Sequence, residues 1–142
     1  MNFHGVKIAL LYNDKVLMYL RDNKKGLFNA NMWDFPGGGR EREETPHECV
    51  IREVKEELGI VLKEESFIWE KEYPAQKDAT QKAWFMVACI TQQDIASIVL
   101  TEGQKWDLIS IEDFFHRSDV IDALKIRFKD YTTAKSIQSF EL

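Results

Sequence analysis

Apolar and polar residues alternate along this chain in blocks of strand and helix length. Val6 to Tyr12 is an apolar run, Asn13-Asp14 supplies turn chemistry, and Lys15 to Leu20 is a second apolar run. That pair predicts a β-hairpin. Residues 22–32 are polar, contain Gly26 and three asparagines, and read as a loop. Trp33-Asp34-Phe35 reads as a short strand closed by Pro36, and the glycines 37–39 mark a tight or closely approached backbone. Ser66 to Tyr73, Ala83 to Thr91 and Trp106 to Ser110 predict further strands. Ser110 to Asp113 starts a short helix, and Asp119 to Phe128 predicts a C-terminal amphipathic helix. Strands and helices interleave without a regular βαβ rhythm. The expected fold class is therefore α+β or α/β with a mixed sheet packed by helices, not a doubly wound parallel sheet.

Pro46 to Leu58 is the helix with chemistry on it. Thr45 is the expected N-cap, Pro46 takes the first position, Glu48 completes a capping box, and Gly59 follows as the stop. At 100° per residue, Val50, Ile51, Val54 and Leu58 fall within an arc of roughly 100°, the width of a core-facing stripe. Glu53, Glu56 and Glu57 gather on another face, centred about 120° away, at the edge of the buried side. Carboxylates so close repel one another by a few tenths of a kcal/mol per pair. A divalent cation reverses that penalty, since hard cations such as Mg²⁺ take carboxylate oxygens, water and substrate phosphates. The bland alternative is a solvated acidic face. The glycines 37–39 just before the helix, and Glu44 and Arg52 across its start, favour the first account. An arginine there holds carboxylates by bidentate hydrogen bonds.

Length and composition set the frame. The 142 residues fit one domain, 1–142, and 44% hydrophobic with 30% charged residues is ordinary for a globular protein. The net charge of −5 disfavours a general nucleic-acid binder but admits a small phosphorylated substrate met through metal ions. Cys49 and Cys89 lack metal-ligand spacing, and each is expected as a small buried hydrophobe. His4, His47 and His116 have no ligand spacing among themselves and are expected as surface or packing residues. The first residues carry no basic segment followed by an apolar one, and no apolar run approaches a membrane span, so a cytoplasmic location without membrane contact is expected.

Gly38, Glu44, Arg52, Glu53, Val54, Glu56, Glu57, Gly59 and Ile60 match G-x5-E-x7-R-E-U-x-E-E-x-G-U without departure, where U is aliphatic. The chain thereby resembles the Nudix hydrolase family, of MutT-like type. The resemblance implies an α/β/α sandwich with a mixed sheet, a loop–helix–loop motif, and hydrolysis of a nucleoside diphosphate linked to a further group X. Carried over residue by residue, Glu53, Glu56 and Glu57 would bind Mg²⁺ or Mn²⁺, the Gly38 carbonyl would add a ligand, and Arg52 and Glu44 would orient the glutamates. Thr101-Glu102-Gly103-Gln104 followed by Trp106 resembles a mobile-loop segment of the MutT-type subgroup. Glu102 would there reach the metals or act as general base, and either Glu53 or Glu102 would activate water. A plain surface-loop glutamate is the alternative for Glu102.

Aromatic and basic residues near the motif are the candidates for contacts with a base or with X: Arg21, Phe28, Trp33, Phe35 and Trp84. For Phe35 and Trp84, core packing is the preferred reading over substrate contact. The place of the asparagine that recognises oxidised guanine in MutT-type enzymes falls near Ser118 or Asp119, which puts activity on 8-oxo-dGTP in doubt. Lys24, Lys25, Arg40 and Arg42 are candidates to meet a polyphosphate. The expected partner is thus a small nucleotide-type substrate, with no stable nucleic-acid binding, for a monomer or homodimer. A non-catalytic nucleotide sensor is the alternative, disfavoured by the intact motif. Isomerisation of an isoprenyl diphosphate would call for further acid–base groups, and no Cys or His is suitably placed.

Overall fold

A computed structural model describes residues 2–141, with side chains as far as Ile137. In chain order the elements are β1 (Gly5–Tyr12), β2 (Lys15–Leu20), β3 (Trp33–Asp34), β4 (Gly37–Gly39), α1 (Pro46–Leu58), a 3₁₀ turn (Glu64–Ser66), β5 (Phe67–Pro74), β6 (Lys82–Cys89), α2 (Gln92–Ala96), β7 (Lys105–Ser110), α3 (Ile111–His116) and α4 (Asp122–Glu141). One mixed sheet runs β3-β2-β1-β6-β5, with β7 on β2 and β4 on β1. The β1–β6 pair is parallel and the other pairs between named strands are antiparallel.

The expected hairpin is present, with Asn13 at φ 55 in its turn. Only its closed end pairs, from Leu10↔Leu17 to Tyr12↔Lys15. Below that the two strands part into a fork, because another segment occupies the edge of each. Trp33 and Asp34 pair with Leu20 and Tyr19 of β2. The chain turns at Phe35-Pro36, and the glycines 37–39 return along Lys7, Val6 and Gly5 of β1. The Ile8 N–H donates to the Pro36 carbonyl at the apex (2.9 Å).

Alternation along the strands builds a core on each face. Val6, Ile8, Leu10, Met86 and Ala88 meet Cys49, Val50, Val54 and Leu58 of α1. Ala9, Leu11, Phe85 and Val87 meet Phe114 of α3 and Leu124, Phe128 and Tyr131 of α4. The result is the expected three-layer α/β/α arrangement. Three local expectations change. The final helix begins at Asp122, not Asp119, because the Asp119 carbonyl is used by the Trp33 N–H (2.7 Å) and Val120 bridges to Trp33. A short helix over Gln92–Ala96, capped reciprocally by Thr91 and Asp94, follows β6. Cys49 is buried as expected, but Cys89 is exposed, since it ends β6 on the outer side.

Candidate active site

The caps set the phase of α1. Thr45 Oγ1 accepts from the Glu48 N–H and the Glu48 carboxylate accepts from the Thr45 N–H, while Gly59 closes the helix at φ 75. Val50, Val54 and Leu58 then face the sheet, and the three glutamates fall into three different environments rather than on one uniform acidic face. Glu56 is exposed, Glu53 is half-buried, and Glu57 is only 4% exposed. The position of Glu57 next to Leu58 and one turn from Val54 carries it under the glycine strand.

Arg52 organises the first two. Its Nε and Nη2 donate to the two oxygens of Glu44 (2.7 and 3.0 Å), forming a bidentate fork. Its Nη1 donates to Glu53 (2.9 Å) and Glu56 (3.1 Å), and Nη2 also donates to the Gly39 carbonyl (2.9 Å). One guanidinium therefore joins the loop before the helix, the glycine strand and two of the three glutamates. Its hydrogen bonds hold the Glu44 carboxyl below the usual range, against a smaller effect of burial. Burial pushes the neighbouring Cys49 thiol up to about 12, so Cys49 stays a neutral packing residue.

Glu57 is held from the other side. Its Oε1 accepts from the Gly37 N–H (3.0 Å), and its Oε2 is buried with no hydrogen-bond partner. Burial pushes its pKa up to about 8. The positive charge of Lys7 and the Gly37 bond oppose the rise, and the charges of Glu102 and Glu53 add to it. An orphaned carboxylate oxygen calls for an explanation. A hard cation shared with Glu53 and Glu56 supplies one, and the all-oxygen donor set fits it. Among the described residues no group of acidic, His or Cys side chains is already gathered to hold a metal. Arg52 draws Glu53 and Glu56 to its own side while Glu57 turns to Gly37. Gly38 lies against the Glu53 carboxylate, where any side chain would intrude.

Glu102 is exposed on the loop before β7. That loop is moored to the end of α1: the Thr101 N–H donates to the Glu57 carbonyl (3.0 Å) and Thr101 Oγ1 donates to the Glu56 carbonyl (2.8 Å). Gly103 passes beside β2 at φ +82, where a Cβ would stand 2.7 Å from the Leu20 carbonyl oxygen. Glu102 thus lies near Glu57 although 45 residues separate them, and it lines a small hollow with Tyr19 and Arg21.

A larger cleft of about 400 Å³ opens beside the glycine strand, on the α4 side of the sheet. Its walls include Arg21, Phe28, Lys7, Asp34, Gly38 and Arg127. Two of the substrate candidates, Arg21 and the half-exposed Phe28, stand in it. Phe35 does not: it is fully buried and stacked on Phe114 (5.2 Å between centroids). Trp33 is buried at the fork, with Arg117 and Lys105 over its ring. Trp84 lies on the α1 side, and Ser118 is exposed beyond α3. Arg40 stacks on Phe3 and donates to the Glu44 carbonyl; Lys24, Lys25 and Arg42 are exposed. Sequence reasoning passed over Lys7, Asp34 and Arg127. Asp34 is 1% exposed, and its Oδ2 accepts from Lys7 Nζ (2.9 Å) and Arg21 Nη1 (3.1 Å), with the Tyr19 hydroxyl at 3.4 Å. The signal for all three is a charge at a position where the pattern calls for an apolar residue.

The chain belongs to the Nudix family: the family model described as the NUDIX domain matches residues 2–131. Among curated proteins it is 31% identical over 68 residues to the 8-oxo-dGTP diphosphatase of Escherichia coli, covering 48% of this chain and 53% of that protein. It is 26% identical over 88 residues to the RNA pyrophosphohydrolase of Photobacterium profundum, covering 60% and 45%. The chain thus spans about half the length of these curated relatives. The fold matches the MutT protein of Methanosarcina mazei (TM-score 0.73, 20% identity, 94% of this chain and 96% of that one). It also matches an Ap4A hydrolase of C. elegans (TM-score 0.69, 16% identity, 93% and 98%). At such identities the likeness is one of fold. Nudix hydrolases as a group use divalent metal ions. Among the described residues no helix is long and apolar enough to cross a membrane.

Proposed function

We propose that the chain is a metal-dependent hydrolase that cleaves a diphosphate bond in a nucleoside diphosphate linked to a further group X, nucleoside triphosphates included. The observation that carries this reading is the pairing of an Arg52 clamp on Glu44, Glu53 and Glu56 with the buried, half-satisfied carboxylate of Glu57. Glu53, Glu56 and Glu57, with the Gly38 carbonyl, would hold Mg²⁺, with Mn²⁺ as the alternative ion. Such an ion, when bound, screens the diphosphate charge and makes water easier to deprotonate.

The chain's own residues do the rest. Arg52 fixes the direction of the Glu53 carboxylate, with Glu44 holding Arg52 from behind. Glu53, or Glu102 on its moored loop, accepts the proton of the attacking water. Arg21 and Phe28 line the cleft where the base or X is held, so that water, phosphorus and leaving oxygen come into line. The chain acts as one domain on small nucleotides in the cytoplasm, as a monomer or homodimer.

The test is release of phosphate or pyrophosphate from nucleoside triphosphates, nucleotide sugars, dinucleoside polyphosphates, ADP-ribose and a 5′-triphosphate RNA, each with Mg²⁺. Glu53→Gln should lower kcat by about 100-fold or more with the fold intact. Near-normal turnover in that variant rejects the assignment. Silence of the wild type across the whole panel, with nucleotide still bound, turns the reading to a sensor.

A further inference from the structure

The cleft on the α4 side contains a cation that no carboxylate of the described protein pairs with. Arg127 lies on α4 between Leu124 and Phe128, both fully buried, and is itself 4% exposed. Its Nη2 donates to the Pro74 carbonyl (2.8 Å), and its guanidinium sits over the Tyr73 ring (5.1 Å). The Tyr73 hydroxyl in turn donates to Asp130 (2.7 Å), so the ring that supports Arg127 is itself tied down. Asp34 shares the cleft, but its Oδ2 is occupied by Lys7 and Arg21.

No direct ion pair holds this buried charge: burial lowers the pKa of Arg127, and the charges of Tyr73 and of Asp34 across the cleft only partly oppose it. None of its nitrogens is sealed in the interior without a partner. Its remaining N–H groups therefore open on the cleft that it lines. Val6, Ala75, Ala83 and the Phe28 ring supply apolar and aromatic wall. At about 400 Å³ the space falls within the roughly 300–1,000 Å³ of small-molecule sites. Its near end is Gly38, which touches the Glu53 carboxylate, so a group held in the cleft is joined to whatever lies at the reaction centre.

We propose that Arg127 is the specificity-determining residue for the base of the substrate, and that it selects 6-oxopurine nucleotides. A guanidinium offers two coplanar N–H donors, and O6 with N7 of a 6-oxopurine is a matching pair of acceptors. Adenine carries an amino donor at C6 and repels one of the two. A phosphate also accepts two such bonds. The apolar walls suit a flat ring instead: of the other cations on the cleft, Lys7 and Arg21 are held by Asp34, and Lys77 lies over the Phe28 ring (5.3 Å). Two consequences are specific. The 2-amino group is not read by Arg127, so GTP and ITP are equivalent. A purine oxidised at C8 carries hydrogen on N7 and loses one of the two contacts, so 8-oxo-dGTP is a poorer ligand than dGTP.

The assignment rests on the hydrolase reading for the direction in which substrate lies, but its test does not need turnover. The full chain with Mg²⁺ is titrated calorimetrically with the α,β-methylene analogues of GTP and ATP. The GTP analogue should bind about tenfold tighter or more, Arg127→Leu should erase the difference, and Arg127→Lys, which keeps charge without the fork, should retain only part of it. Equal affinity in the wild type, no binding of either analogue, or an undiminished preference in Arg127→Leu overturns the proposal. So does weakened binding of inorganic triphosphate in Arg127→Leu with the base preference unchanged, which gives the cleft to a phosphate. If the leucine variant does not fold, the wild-type ratio and the lysine variant decide. Absence of hydrolysis across the whole substrate panel would reject the enzyme reading and leave the affinity ratio standing as the measure of this one.

Discussion

Gly38 and Glu53 are in contact across the helix–strand boundary: a methyl group added to Gly38 would stand 2.5 Å from the Glu53 carboxyl carbon and 2.6 Å from both its oxygens. The neighbouring glycine meets something different. A methyl on Gly37, at φ +149, would lie 2.1 Å from the Val6 carbonyl oxygen. The far end of a glutamate can swing away, whereas the backbone of a central strand cannot. Gly38→Ala should therefore melt within a few degrees of wild type yet lose most of its activity, while Gly37→Ala should lose the fold. Thermal melts alongside initial rates separate the two, and a fully active Gly38→Ala would show that the Glu53 position is not needed.

The Arg52 clamp depends on a planar fork with several donors. Arg52→Lys keeps the charge but satisfies at most part of the set Glu44, Glu53, Glu56 and Gly39. Its metal affinity or turnover should fall by about 10–100-fold. Titration of the purified variant with Mn²⁺, followed by paramagnetic relaxation, reads the effect without substrate. Unchanged affinity and unchanged turnover together would remove Arg52 from the machinery.

Burial raises the Glu57 pKa to about 8 in the metal-free protein. The folded chain holds a proton on Glu57 that the unfolded chain has released, between about pH 4.5 and 8, so stability falls as pH rises through that window. Glu57→Gln keeps an oxygen to accept the Gly37 N–H and cannot ionise. In EDTA at pH 9 it should melt above wild type by a few degrees, and Mg²⁺ should raise the melting temperature of wild type far more than that of the variant. A variant less stable than wild type at pH 9 in EDTA contradicts this account.

His47 is more than a packing residue. Its ring lies flat on Phe67 (4.3 Å, 9°), with Nδ1 2.7 Å from Glu64 and Nε2 2.8 Å from Glu70. Burial works against its protonation, but the hydrogen bonds and charges of the two glutamates outweigh it and raise the pKa above 6.5. For a base so raised, the stabilisation is complete below 6.5 and is lost as pH climbs through the folded value. The melting-temperature advantage of wild type over His47→Gln should be larger at pH 5.5 than at pH 9. An advantage that is flat with pH would mean that only the Phe67 stack matters.

Most of the motif was legible because short-range rules set it. Thr45, Pro46, Glu48 and Gly59 define a helix by local bonds alone, and once its phase is set, Val54 and Leu58 point one way and Arg52 another. The depth at which Glu57 is buried was not legible. The helical wheel places it at the edge of the stripe, and only the passage of the glycine strand over that edge makes it buried. The cleft was least legible. Lys7, Asp34 and Arg127 come from a strand, a fork and the last helix, and their proximity depends on the parallel β1–β6 pairing and on the seating of α4. Trp33 and Phe35 stood among the base-stacking candidates because they flank the motif, Phe35 with core packing as its preferred reading. The sharp turn at Pro36 buries both instead, Phe35 among Phe85, Phe114 and Phe128.

The fork in the sheet governs where this chain tolerates insertion and deletion. The segment from Trp33 to Gly39 is pinned to two strands running in opposite directions, so one residue added at its apex would shift its register against β2 or β1. Either shift would misplace the Gly37 N–H above Glu57 or the Gly38 backbone beside Glu53. The loops carrying Phe28 and Lys77 lie outside that double pairing. Lengthening them would reshape the cleft and leave the carboxylates where they are, so one scaffold can exchange what it recognises without retuning what it cleaves.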